Sequence, residues 1–260
     1  MKHTMILASV CTATCFLFSA PVFADDEEEL SFEEAFIFFE LNNTDGDLGL
    51  HAKIDGDAWK RLKIKCESDD GDDKTLLKIR AKSGLRKQGL TEIFFESAEP
   101  TFDELTPEEF FERFPEGECD IRGLTLDGEE MESETEITHL MPAPAVPTIN
   151  FMTAAVGCDG DLPTVSEPVT IRWDEVTVSH PDLGRTGEPI DVVNYEVVVE
   201  IDETLFFVSA ILPPEARSFV VPSEIIALLG EEFGNEIKFE VLVRESSYNQ
   251  TGVESCFEVD

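Results

Sequence analysis

The residues with the most evident chemical capacity are aspartates paired across a glycine. Asp45-Gly46-Asp47 and Asp55-Gly56-Asp57 repeat one pattern, and Asp69, Asp70, Asp72 and Asp73 crowd a third glycine; Asp159 and Asp161 flank a fourth. Calcium takes roughly six to eight oxygen ligands, which clustered loop carboxylates supply. Asp45, Asp47, Asp55 and Asp57 are therefore candidate calcium ligands, with calcium the one cofactor the sequence suggests. The EF-hand register does not hold. Counted from Asn43, Leu48 stands where that loop needs glycine and Ile54 where it needs glutamate. Asp-Gly is also the chemistry of tight turns between strands, so two readings stand, ligands or turns.

A second constellation is basic. Arg61, Lys63 and Lys65 alternate with Leu62, Ile64 and Cys66, and Lys78, Arg80 and Lys82 alternate with Leu77, Ile79 and Ala81. Period two puts each triplet on one face of a strand. With Lys60, Lys74, Arg86 and Lys87 they concentrate cationic charge between positions 60 and 87. If the two strands are neighbours, they form a cationic face suited to an anionic glycan or an acidic protein partner. The bland alternative is a solvated sheet face paired with nearby acids.

Catalytic signatures are missing. Beyond the first few residues the histidines are His51, His139 and His180, scattered along the chain. No His-Glu-x-x-His, Gly-x-Ser-x-Gly or phosphate-cradling glycine loop occurs. A carboxylate pair for glycoside hydrolysis is not distinguishable among so many acids. The expectation is a protein that binds rather than catalyses; an accessory domain of an extracellular hydrolase is the competing reading.

The charge balance narrows the partners. The 260 residues carry 56 acids against 19 Lys+Arg, a net charge of -37. Nucleic acids are excluded, because affinity for them rests on neutralising phosphates. The hydrophobic fraction of 42% with 20 Phe is enough to bury a core. Residues 1–24 read as a secretory signal peptide, with an apolar run from Met5 to Phe18 and a Val22-Phe23-Ala24 site before the acidic stretch from Asp25. Cleavage after Ala24 leaves no membrane insertion and a secreted or periplasmic product. Four cysteines remain, Cys66, Cys119, Cys158 and Cys256. In an oxidising compartment they read as two disulfides, with three connectivities open.

The elements that must position these groups are mostly strands. Met141–Pro147 holds three prolines and divides the chain, giving an N-terminal domain over 25–142, a linker over 143–147 and a C-terminal domain over 148–260. In the first, residues 35–41, 48–54, 59–66, 76–82, 93–96, 118–126 and 132–140 read as strands. Thr106-Pro-Glu-Glu109 is a helix-capping box, and Phe110, Phe111 and Phe114 share that helix's apolar face. In the second, alternation at Val169–Trp173, Tyr195–Ile201, Phe219–Val221 and Phe239–Arg244 marks short half-buried strands, with a short capped helix from Ser223 to Leu229. The fold class expected is mainly β, two β-sandwich domains with one short helix in each.

Pro168-Val-Thr-Ile-Arg-Trp173, Tyr195-Glu-Val-Val-Val, Ser218-Phe-Val-Val-Pro222, Phe239-Glu-Val-Leu-Val-Arg-Glu245 and Asn249 together resemble a fibronectin type III domain. The resemblance implies an immunoglobulin-like sandwich, with Trp173 on its second strand, Tyr195 on its third and Asn249 in the turn before its last. The chain departs from the pattern in Phe239, where the family usually has tyrosine, and in a long connection from Asp174 to Asp191 carrying Gly184-Arg-Thr-Gly187. The implied topology brings the ends of the first and last strands to one pole, which would pair Cys158 with Cys256 and leave Cys66 for Cys119. Asp45-Gly-Asp-Leu-Gly-Leu with Asp55-Gly-Asp-Ala-Trp59 resembles strands of secreted bacterial jelly-roll modules. The chain as a whole resembles secreted bacterial proteins. What these likenesses imply is an exported, non-catalytic binding or scaffolding protein; a calcium-stabilised structural module is the alternative.

Overall fold

The computed structural model describes residues 30–67, 74–158, 160–201, 204–230 and 234–260. The expected leader, its cleavage site after Ala24, the run Asp69–Asp73 and Asp159 lie outside the described residues.

The protein is mainly β. The first half contains β1 (Glu34–Asn42), β2 (Asp47–Cys66), β3 (Lys74–Arg80), α1 (Ser83–Gln88), β4 (Leu90–Glu96), α2 (Pro107–Arg113), β5 (Gly117–Thr125) and β6 (Glu130–Ile137). The second contains β7 (Thr148–Ile149), β8 (Met152–Thr153), β9 (Thr164–Val165), β10 (Thr170–Arg172), β11 (Val192–Glu200), β12 (Phe207–Leu212), β13 (Ser218–Val220), α3 (Ser223–Ile226), β14 (Glu236–Glu245) and β15 (Gln250–Val259). The helices number three among the described residues, against the expected one in each half. α2 forms as its sequence dictates: the Thr106 hydroxyl accepts from the Glu109 N–H, and the Glu109 carboxylate accepts from the Thr106 N–H. α3 follows Pro222 and has no side-chain cap.

All six strands of the first half hydrogen-bond into one sheet, organised by β2. Its first part pairs with β1 and β4, its second with β3 and β5, and β6 extends from β5. Residues 48–54 and 59–66 were expected as separate strands around an Asp55-Gly56 turn. They are one strand, with register shifts between Asp55 and Trp59 against β4 and between Trp59 and Arg61 against β5. Gly56 permits this, since a Cβ there would lie 2.9 Å from Met131 and 3.3 Å from the Phe32 Cα. The inner face packs Ile37, Phe39, Leu50, Ile54, Trp59, Ile64 and Ile121, and α2 covers it with Phe110 and Phe111, both edge-on to Phe39 at 5.6 Å.

In the second half, two sheets enclose a separate core. The strand order is β12-β11-β14-β15 in one and β13-β10-β7-β8 in the other. Ile149 and Ile171 from the second sheet meet Val197, Val241 and Phe257 from the first. The halves are not hydrogen-bonded independently. β1 pairs in parallel with β15, Glu40 opposite Gln250 through Asn42 opposite Gly252, so one eleven-stranded sheet crosses from half to half. The proline-rich 143–147 segment is packed rather than loose: Ala145 and Pro147 are buried, and the Ala143 N–H donates to Val178 O.

The long 174–191 connection has its reason here. It docks on the first half. Leu183 enters the first core, His180 Nε2 meets Asn43 Oδ1 at 3.0 Å, and Arg185 pairs with Glu116 at 2.8 Å. Disulfides join Cys66 to Cys119 and Cys158 to Cys256.

Candidate functional site

The two basic triplets lie on adjacent strands. β2 and β3 are antiparallel with Arg61 directly opposite Arg80 and Lys63 opposite Lys78. Their alternates Leu62 and Ile64 are buried in the first core, which forces the charges outward. On the other edge of β2, Lys63 faces Arg122 of β5. Lys78, Lys63 and Arg122 thus form one cross-strand row of three cations. A second row holds Arg80 and Arg61. The backbones that carry them lie about 4.8 Å apart across strands, and alternate residues about 6.8 Å apart along them. Lys82 follows β3 and leads into α1, whose last turn adds Arg86 and Lys87. Lys65 lies opposite Thr75 and Asp120, at the margin of the patch.

Like charges placed directly opposite destabilise a sheet. Among the described residues no ion pair or hydrogen bond engages the side chains of Arg61, Lys63, Lys78, Arg80 or Lys82. The carboxylates are segregated one strand away. Arg122 is held by Glu132 at 2.5 Å and Asp120 at 3.5 Å, and Glu118, Glu134 and Glu136 continue the acidic strip on β5 and β6. Like-charge crowding raises the Glu118 pKa, first through Glu134. The sheet face is therefore dipolar, cationic over β2–β3 and anionic over β5–β6.

The four aspartates nominated for calcium are not brought together. Asp45 and Asp47 flank the β1–β2 turn, where Asp45 Oδ2 accepts from the Asn42 side chain at 3.2 Å. Asp47 is pushed up to about 6 by burial, with Glu99 and Asp45 adding repulsion. Asp55 lies eight residues further along β2, about 26 Å of extended chain away. There its oxygens group with those of Glu34 and Glu92. Asp57 points to solvent. One pair thus sits at a turn, and the other at a strand irregularity. The exposed Asp161 joins neither.

The histidines are equally dispersed. His139 stacks on Phe111 at 4.2 Å with Nε2 against Phe114 O at 2.8 Å. His180 belongs to the docked loop, where burial lowers its pKa. His51 is buried on the outer face of β2 beside Glu40 and Glu99. The Gly184–Gly187 tip is exposed but anchored at its base: the Arg185 N–H donates to His139 O, and a Cβ on Gly184 would lie 1.9 Å from that oxygen.

Arg122 was not singled out in the sequence, though its signal was present. If Cys66 stands opposite Cys119 in an antiparallel pair, counting back along one strand and forward along the other puts Lys63 opposite Arg122.

No protein-family model matches the chain, and no curated protein does. Among solved structures it is similar to one from work on host cell surface retention of a 1.5-MDa bacterial ice-binding adhesin. That similarity has a TM-score of 0.25 and 11% identity, and covers 87% of this chain and 65% of that one. The chain thus spans less than two thirds of that structure's length.

Proposed function

We propose that the protein is an exported, non-catalytic binding module whose β2–β3 face holds an extended polyanion, an acidic glycan in the first instance. The observation that carries this reading is the pair of like-charge oppositions, Arg61 with Arg80 and Lys63 with Lys78, left without carboxylate partners among the described residues on a chain of net charge -37. A solvated face would place some of its abundant acids among these cations. An anionic ligand supplies the missing counter-charge, and the regular spacing suits a polymer with repeating acidic groups. Two disulfides support an oxidising compartment outside the cytoplasm. Among the described residues no helix is long and apolar enough to cross a membrane.

The proposal includes a fibronectin type III-like C-terminal half. The order β12-β11-β14-β15 facing β13-β10-β7 supports it, with Trp173 5.4 Å from Tyr195 inside the core. In this reading the second half is scaffold and the first carries the ligand.

The test is binding of the purified chain to a sulfated polysaccharide and a polyuronate across a salt series. The expected result is saturable binding that weakens with salt, and a loss of about tenfold or more in an R61A/K63A/R80A variant that keeps its melting temperature. A K53A/R217A variant, altering cations elsewhere, should bind as the parent does. Equal binding by all three proteins, or none by any, would overturn the proposal.

A further inference from the structure

A different part of the first half carries a second site. His51 sits on the outer face of β2, 97% buried. Its cross-strand partner on β4 is Glu96, and on β1 it faces Phe38, two residues before Glu40. The imidazole lies between two carboxylates. Nε2 is 3.1 Å from Glu99 Oε1, while Nδ1 is 3.7 Å from Glu40 Oε2, beyond hydrogen-bonding distance, and has no partner. A buried ring nitrogen without a partner costs stability unless something engages it.

Glu99 reaches the ring because the chain after β4 keeps to β2: the Ser97 N–H donates to Leu50 O and the Ser97 Oγ accepts from the Leu50 N–H. Its carboxylate then lies over Gly49, where a Cβ would be 2.1 Å from Oε1. The missing side chain leaves the space that the carboxylate occupies. One ring nitrogen of His51 and one oxygen each of Glu96 and Glu99 lie within 4.8 Å of one another. Glu96 is exposed, which leaves an entry path from solvent.

We propose that His51, Glu96 and Glu99 bind a borderline divalent cation of the zinc class, with Glu40 as the carboxylate that orients the ring. Mixed nitrogen and oxygen donors select such ions over calcium and magnesium, which take oxygen. Zinc holds such ligands at about 2.0–2.1 Å in a tetrahedron, which sets them roughly 3.4 Å apart. The Nε2–Glu99 pair already has nearly that spacing, and only the solvent-facing Glu96 must swing in. With the ion on Nε2, the ring proton sits on Nδ1 and faces Glu40, which has to close the present 3.7 Å to accept its hydrogen bond, the usual support for a ligating histidine. The fourth position is left to water.

The test is a Zn2+ titration of the full chain followed by imidazole nitrogen NMR. The expected result is a shift of the His51 ring, complete near one equivalent, with His139 and His180 unmoved and with Ca2+ and Mg2+ ineffective. His51→Ala empties a buried position, so the deciding variants are Glu96→Gln, which removes an exposed ligand, and Gly49→Ala, whose methyl displaces the Glu99 carboxylate. Each should weaken Zn2+ binding by about tenfold or more, and Glu40→Gln by a comparable factor. A His51 ring unmoved by millimolar Zn2+, or parental affinity in both deciding variants, would overturn the proposal.

Discussion

Asn249 Oδ1 accepts a hydrogen bond from the Phe39 N–H at 2.8 Å, between residues 210 positions apart. The bond stands one step before the β1–β15 ladder, which begins at Glu40 and Gln250. The same side chain donates through Nδ2 to Thr138 O at 2.8 Å and Leu140 O at 3.2 Å. One buried amide thus ties together β1, the segment leaving β6 and the turn into β15. Each buried group left unpaired costs about 1–3 kcal/mol. Asn249→Ala is expected to destabilise the protein by about 2–4 kcal/mol. Asn249→Asp is expected to cost more, because it replaces the donor with a second acceptor facing carbonyl oxygens. Trp59 reports the first core and Trp173 the second. In W59F and W173F backgrounds, urea midpoints for the Asn249 variants should fall at both reporters. A midpoint unchanged at either one would refute the tie.

The docked loop gives a sharper local test. Gly184 has φ of +60°, and its Cα hydrogen occupies space that a methyl would contest with His139 O. Gly184→Ala therefore combines backbone strain with a clash against main chain, and should cost about 2 kcal/mol or more. Arg185→Ala should cost less, about 1 kcal/mol or below, since its pair with Glu116 is partly exposed. That pair is still felt: burial opposes the Glu116 charge, but bonds from Arg185 and the His139 N–H hold its carboxyl below the usual range. Thermal melts of the two variants that came out in the reverse order would show the loop to be peripheral.

The sequence carries the local parts of this structure and not the long-range ones. Alternation at Arg61–Cys66 and Lys78–Lys82 marks which side chains face out, because period two is a property of one strand. The Thr106 capping box forms as written because both partners lie within four residues. The seam between β1 and β15 has no such signature, since a parallel pairing across 210 residues is decided by the packing of two cores. The docking of the Gly184 loop has no local signature for the same reason; its partner, His139, is on the far side of the proline-rich segment. Asp55-Gly56-Asp57 misleads more instructively. Gly56 is needed for the close passage under Phe32 and Met131, and glycine serves a turn and a close passage alike. His51 stands on the outer face of β2 and is nevertheless buried, which alternation alone does not foretell.

Glu240 should make stability pH-dependent. Its carboxylate lies over Gly252, where a Cβ would be 2.0 Å from Oε1, and opposite Glu254. Burial first, then repulsion from Glu40 and Glu254, pushes its pKa up to about 8 from 4.5. The folded chain therefore holds a proton that the unfolded chain releases. That stabilisation is complete below about pH 4.5 and is lost as pH rises towards 8. Asp47, at about 6, acts in the same direction over a narrower range. Glu240→Gln should leave the urea midpoint near pH 4 almost unchanged and raise stability at pH 8 by an amount on the order of 1–4 kcal/mol. Parallel pH profiles for parent and variant would sink this assignment.

The last prediction separates binding from folding on the cationic face. Arg80 stands directly opposite Arg61, with half-buried Ile79 anchoring the strand only in part. Arg80→Glu turns a like-charge pair into an opposite-charge pair at the same separation. Cross-strand pairs of this kind are worth roughly 0.2–1 kcal/mol, and the swap gains the attraction and removes the repulsion. The variant should therefore be more stable than the parent by about 0.5–1.5 kcal/mol, most visibly at low salt, where screening is weakest. It should also bind polyanions worse than Arg80→Ala, because it adds a repelling charge to the lost cation. A face that served folding would give the opposite pattern, with stability falling on substitution and anion affinity indifferent to the sign of residue 80. Melting in low and high salt, beside polyanion titrations of the same two variants, distinguishes these outcomes.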